Sequence, residues 1–191
     1  MGGEISIDDR QIHRYLKLFG RAPGAALEER IKAMRVATTE VVRPARTWRR
    51  FDDVFAAGGK SSVSLAKHLA GCHAVYLVCT TLGAGFDALQ RRTAATSPSD
   101  AFVLQAIGAA AIEAWTDETE REVRAELKAG ESLVARYSPG YGDFPLEAQR
   151  RLLALLDAPR KIGVSLTDSL LMAPSKSVSA VIGVRPAIDD T

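Results

Sequence analysis

Apolar residues change their spacing along this chain, and each change marks an element. Ile12, Tyr15, Leu16 and Phe19 fall at i, i+3, i+4 and i+7, which predicts a helix that Asp8 or Asp9 can cap and Gly20 can end. After Pro23-Gly24, the spacing of Leu27, Ile31, Met34 and Val41 predicts a second amphipathic helix, closed by Pro44. Residues 46–55 mix Trp48, Phe51, Val54 and Phe55 with charges, as an edge strand does, and a short helix over Ser64–Leu69 stops at Gly71. Ala74–Thr80 is short, continuous and rich in Val, the pattern of a buried strand, and it runs through TLGAGFD into a helix reaching Arg92.

Ser97-Pro98-Ser99-Asp100 opens the longest helix, with Ser99 as N-cap, Pro98 just outside and an end near Lys128. Its first half, AFVLQAIGAAAIEAW, is apolar on most faces and should be buried; its second, DETEREVRAELK, should be largely solvated. Beyond it come a strand over Leu133–Tyr137, the loop SPGYGDFP, a helix over Leu146–Leu156, and strands around Val164 and over Ser177–Val184. Val178, Ala180, Ile182 and Val184 alternate, which predicts one buried face. Strands that do not alternate regularly with helices indicate an α+β fold in a single domain, with an antiparallel sheet and several helices, one of them long.

Composition narrows the functions. The 191 residues are 47% hydrophobic and 25% charged, with a formal charge of +2, a balance too even for a nucleic-acid binder or a polybasic membrane clamp. Aromatics at 6% argue against a base-stacking platform. Two cysteines, Cys72 and Cys79, make neither a disulfide scaffold nor a four-cysteine zinc site. The N-terminus lacks a signal pattern, and the apolar run Ala101–Trp115 carries Gln105 and Glu113, so a cytoplasmic protein is expected, off the membrane.

Most motif matches are incomplete. GGKSS at 58–62 looks like the end of a phosphate-binding loop, but the glycine that the pattern needs five residues before Gly59 is Val54. Gly83-Ala84-Gly85-Phe86-Asp87-Ala88 matches a dinucleotide fingerprint after a strand, yet the next segment is a turn and helix cap in place of an acidic-ended second strand. A tight strand-to-helix turn is the favoured reading; a nucleotide-binding enzyme built on these glycines is the rival. His13, His68 and His73 have no metal-ligand spacing. Arg136-Tyr137-Ser138-Pro139-Gly140-Tyr141-Gly142-Asp143 carries more chemistry: glycines flank a tyrosine, so the backbone can approach a ligand, and a guanidinium at a strand end offers a fork for a carboxylate. A surface turn in which Arg136 pairs with a local acid is the alternative.

RYSPGY, with LTDSLLMAPSKSVSAVIGV at 166–184 and AIGAAAIEAW at 106–115, resembles the activation (reactivation) domain of cobalamin-dependent methionine synthase. The resemblance covers residues 73–184 and leaves the N-terminal helices at 8–44 outside. It implies binding of S-adenosylmethionine and docking over a cobalamin module carried by a partner, a methionine synthase or related corrinoid methyltransferase, so that inactive cobalamin is reduced and remethylated. Arg136 would hold the methionine carboxylate, Glu113 the cationic side of the amino acid, Ser138 would present its backbone to the adenosyl group, and Tyr141, beside Gly140, would shape the pocket near the methyl. The electron donor would be a flavodoxin or ferredoxin, because no redox cofactor motif is evident. The chain would then be a component of a methyltransferase system and not a catalyst by itself.

The sequence departs from the family in three places. Arg185–Thr191 supplies no aromatic where the family adds one, the family's N-terminal acidic contact has only Asp52 or Asp53 as unassigned candidates, and Asp168 stands where Glu is usual. Ser175-Lys176-Ser177 reads more as a hairpin turn than as a contact to the corrinoid partner. The alternative function is a non-catalytic module that caps a corrinoid protein without S-adenosylmethionine.

Overall fold

The computed structural model describes residues 5–187. Helix α1 (Asp9–Tyr15) is capped by Asp8, whose carboxylate accepts the Arg10 amide at 2.9 Å. It ends before Phe19: Lys17, Phe19 and Gly20 have positive φ, Phe19 is 87% exposed, and Leu18 packs against the core in its place. Helix α2 (Ala25–Val41) follows and leads into the edge strand β1 (Ala45–Phe51), which is shorter than expected because residues 52–57 form turns. Then come α3 (Val63–His68), β2 (Ala74–Thr81), buried throughout, and α4 (Ala84–Thr96), longer than the pattern suggested.

Helix α5 (Pro98–Ala125) is 28 residues long, about 42 Å at ~1.5 Å per residue. Its cap is Ser97 and not Ser99: the Ser97 hydroxyl accepts the Asp100 amide, and Pro98 takes the first helical position, where a missing N–H costs nothing. After α5 come β3 (Glu131–Tyr137), α6 (Ala148–Leu156), a short α7 (Ala158–Ile162), β4 (Ser165–Leu166), β5 (Met172–Ala173) and β6 (Ser177–Pro186). The strand expected around Val164 is β4, which pairs only with β5 in a two-stranded ribbon.

The main sheet has the order β1-β2-β6-β3 and is antiparallel at every pairing. One face carries Val75, Leu77, Cys79 and Val181 under Leu65 and Leu69 of α3, Leu152 and Leu156 of α6, and Phe144. The other carries Tyr76, Val78, Ala180 and Ile182 under Val123 of α5. Strand β6 is therefore covered on both sides, a correction to the single buried face that its alternation suggested: Ser177, Ser179 and Val181 are buried as well. The charged half of α5 is likewise less solvated than expected, because Thr119 and Val123 turn inward among its acids. Burial in apolar surroundings pushes the Cys79 thiol up to about 12.

The GAGFDA segment works as packing. A Cβ on Gly85 would lie 2.2 Å from the Val41 carbonyl oxygen, so only glycine lets α4 approach the end of α2. Asp87 accepts the Ser175 amide at 2.9 Å and its hydroxyl at 2.5 Å, and so ties the loop before β6 to α4. Because every strand pairing in the main sheet is antiparallel, the parallel crossover that a dinucleotide fold needs is missing, and the nucleotide-enzyme reading falls.

Candidate functional site

Arg136 lies near the end of β3, paired with Ile182 of β6. Its guanidinium reaches α5, where Glu113, Asp117 and Glu120 are spaced so that one helix face presents three carboxylates. It donates to Glu113 at 2.6 Å, to Asp117 at 2.7 Å and to Glu120 at 2.5 Å, the short range of charge-assisted bonds. Burial opposes the guanidinium charge, but Glu120 and Asp117 outweigh it and hold Arg136 more firmly protonated than an ordinary arginine. Three carboxylates against one guanidinium leave the cluster two charges negative. The group that was to receive a ligand carboxylate is thus engaged by the protein's own acids.

Beside this cluster lies a cleft of about 510 Å³, lined by Glu113, Glu120, Arg136, Ser138, Tyr141 and Gln149 among others, within the ~300–1,000 Å³ common for small-molecule sites. Its floor is a sheet edge. Strand β3 stops pairing at Tyr137, opposite Val181, so Ser177–Ala180 of β6 pair with β2 on one side and with no strand on the other. Ser177, Val178 and Ser179 line the cleft there. Gly140, at φ +92°, turns the loop over it, and Tyr141 donates its amide to the Ser138 carbonyl at 3.1 Å. The Tyr141 ring is 59% exposed and meets Tyr137 edge-on at 5.8 Å. A second cleft of about 570 Å³ touches Glu113 and Arg136 from the other side and is bordered by Asp8, Gln11 and Arg14 at α1.

The far end of the same loop docks elsewhere. Asp143 accepts the Ser62 hydroxyl at 2.5 Å, the Val63 amide at 2.8 Å, the Ser64 amide at 3.0 Å and the Ser64 hydroxyl. Those hydroxyls first, and the amides after them, hold its carboxyl well below the usual carboxylate range. The last serine of GGKSS and the first turn of α3 therefore do present anion-binding donors, and the anion is the chain's own Asp143. Gly142 allows this contact, since a Cβ there would sit 2.5 Å from the Ser64 hydroxyl oxygen.

Of the five residues singled out from the sequence, Glu113, Arg136, Ser138 and Tyr141 line one cleft, and Gly140 shapes its rim without lining it. Asp117, Glu120 and Gln149 were not foreseen. The helical spacing of the two acids from Glu113 was a readable signal; Gln149 had none. Asp52 and Asp53 follow β1 at the opposite edge of the sheet from Arg136, with β2 and β6 between, and Asp53 is used by the Phe55 amide at 3.0 Å. Neither belongs to the cleft. Ser175-Lys176-Ser177 joins β5 to β6, which lie in different sheets and do not pair, so the segment is a crossover connection and not the hairpin turn expected; Ser175 is held by Asp87 of α4 and Ser177 donates to the Pro174 carbonyl at 2.7 Å. The end segment 188–191 lies outside the described residues.

The family model described as the vitamin B12 dependent methionine synthase activation domain matches residues 66–189. The chain belongs to this family. The match takes in β2, the α5 acids, the RYSPGY loop and β6, and leaves α1, α2 and β1 outside it. Among solved structures, the MetH reactivation domain bound to AdoHcy is similar with a TM-score of 0.52 at 20% identity; the match covers 62% of this chain and 41% of that one. At that identity the likeness is one of fold, and this activation-domain chain spans less than half the length of its structural relative. No curated protein matches it. Among the described residues, no helix is long and apolar enough to cross a membrane.

Proposed function

We propose that residues 1–191 act as one activation-domain unit that binds S-adenosylmethionine and supports, in trans, the reductive remethylation of a cobalamin-dependent methionine synthase or related corrinoid methyltransferase. The observation that carries this reading is the meeting of Glu113, Arg136, Ser138 and Tyr141 around one cleft in a chain of the activation-domain family. The charges are complementary in sign: the cluster is two charges negative, and the ligand carries an ammonium and a sulfonium against one carboxylate. On binding, the carboxylates of α5 would pass from Arg136 to the ligand's cations, and the guanidinium would take the ligand carboxylate.

S-adenosylmethionine supplies an activated methyl group, and reduced cobalt on the partner supplies the nucleophile. This chain has then only to hold the amino-acid end, aim the methyl outward and exclude water. A flavodoxin- or ferredoxin-type donor would provide the electron. We place the protein in the cytoplasm, where its free thiols Cys72 and Cys79 would stay reduced.

Calorimetric titration with S-adenosylmethionine tests the reading. Saturable binding is expected, reduced at least ~10-fold by Arg136→Ala and less by Arg136→Lys, in line with charged hydrogen bonds of about 1.5–3 kcal/mol. Equal affinity in wild type and Arg136→Ala, with melting curves showing both folded, would sink it. The saturation of Arg136 by three protein carboxylates favours one second reading, a cap on a corrinoid protein that needs no S-adenosylmethionine. A cobalamin-loaded partner bound equally well with and without the ligand would support that cap.

A further inference from the structure

Gln149 stands at the start of α6, 5% exposed, and lines the cleft from the α6 side of the sheet, whereas Arg136 is turned to α5 on the other side. Its side-chain Oε1 is buried with no hydrogen-bond partner among the described residues. A buried amide left in that state costs stability, so a residue of this kind needs a reason. One turn further along, Leu152 and Leu153 fill the core, and an apolar side chain at 149 would have continued that stripe without loss. The neighbouring floor is the free edge of β6 at Ser177–Ser179, beyond the point where β3 stops pairing. A strand edge without a partner and a buried glutamine whose amide oxygen is unsatisfied thus line the same cleft.

The two ends differ in charge. At one, Arg136 with Glu113 and Glu120 suits a zwitterionic amino acid; the rest of the lining, Ser138, Tyr141, Gln149, Met172 and Ser177 among it, is neutral. We propose that Gln149 hydrogen-bonds the adenosyl portion of the ligand, using an amide whose oxygen and nitrogen exchange places by a flip so that either can face the cleft. The assignment rests on the functional reading above and adds to it a contact that fixes which way the ligand lies. An amide is suited to this task because an adenine edge presents a donor and an acceptor side by side.

The test uses the full chain and two probes, S-adenosylmethionine and adenosine. Gln149→Met keeps the length and helix preference of the side chain and removes only its polar atoms. It is expected to weaken both ligands by a similar factor, about 5- to 15-fold, the loss of one net hydrogen bond, and to raise the melting temperature of the ligand-free protein slightly. In wild-type protein, the assigned Gln149 side-chain amide resonances should shift on adding adenosine alone, a readout that does not depend on how the variant folds. If S-adenosylmethionine binds, Arg136→Ala removes it, and both Gln149→Met and the amide resonances leave the ligand's affinity and position unaffected, the assignment is wrong and the functional reading stands. If wild-type protein binds neither probe, both fall together.

Discussion

The loop between β3 and α6 begins at one charged residue and ends at another, and the fold treats the two oppositely. Asp143 is a single carboxylate among two hydroxyls and two amides, with each contact short and its charge matched by donors. Arg136 is a single guanidinium among three carboxylates, with a charge excess left over and open clefts on both sides. A site whose valences are filled by the protein holds the protein together. One that is over-supplied with a single sign beside open space has valences left over, and the proposed function assigns those to a ligand. The GGKSS turn and the RYSPGY loop look equally ligand-like as strings of residues, and this difference in saturation separates them.

Charge removal at the two ends is the most direct way to break the contrast, and ligand affinity shows the largest effect. Arg136→Ala should cost at least ~10-fold in S-adenosylmethionine affinity, whereas Asp143→Asn should stay within about threefold. A loss of comparable size in both would mean that the loop acts as one unit and the contrast is false.

Stability should report the reverse. Asp143 is held below its ordinary value of 3.8, so its stabilising contribution is complete well above that pH and fades as pH falls through 3.8 toward the folded value. Asp143→Asn should lower the melting temperature at neutral pH and flatten its decline below about pH 4 by one titrating group. A parallel decline in wild type and variant would place the acid sensitivity elsewhere, and Glu131 is the candidate. Arg50 first, and His73 after it, hold its carboxyl below the usual range.

A smaller effect sharpens the reading of the Arg136 end. Its negative excess should favour the cationic sulfonium over the neutral thioether S-adenosylhomocysteine by a factor on the order of ten at low salt, and less at ~0.5 M salt, where exposed charges are screened. Equal affinities at low salt would mean that the carboxylates do not sense the sulfonium. The smallest expected change is in Glu120→Gln, which should reduce that preference to about threefold and leave the melting temperature within a few degrees. Competition titrations of the two ligands against each variant would read both effects.

Some of this molecule follows from the order of its residues alone. The buried strand β2, the helical periods of α2 and α5 and the antiparallel α+β class rest on local spacing, which short-range sterics enforce, whereas the candidate residues Glu113, Arg136, Ser138, Gly140 and Tyr141 rest on the resemblance of short motifs to a family. Local rules fail where two equally good caps compete, as Ser97 and Ser99 do before α5, and where a pattern meets a second layer. Ser177 and Ser179 look like the exposed polar face of β6, yet both are buried on the same face as Val181.

Only the tertiary structure brings Asp117 and Glu120 onto Arg136, leaves the edge of β6 open beyond Tyr137, and seats Asp143 on the amides of α3. These are meetings between segments 16 to 81 residues apart in the chain. The residue types allow each of them and none of them is dictated locally, because a charge takes whichever partner the packed core carries to it.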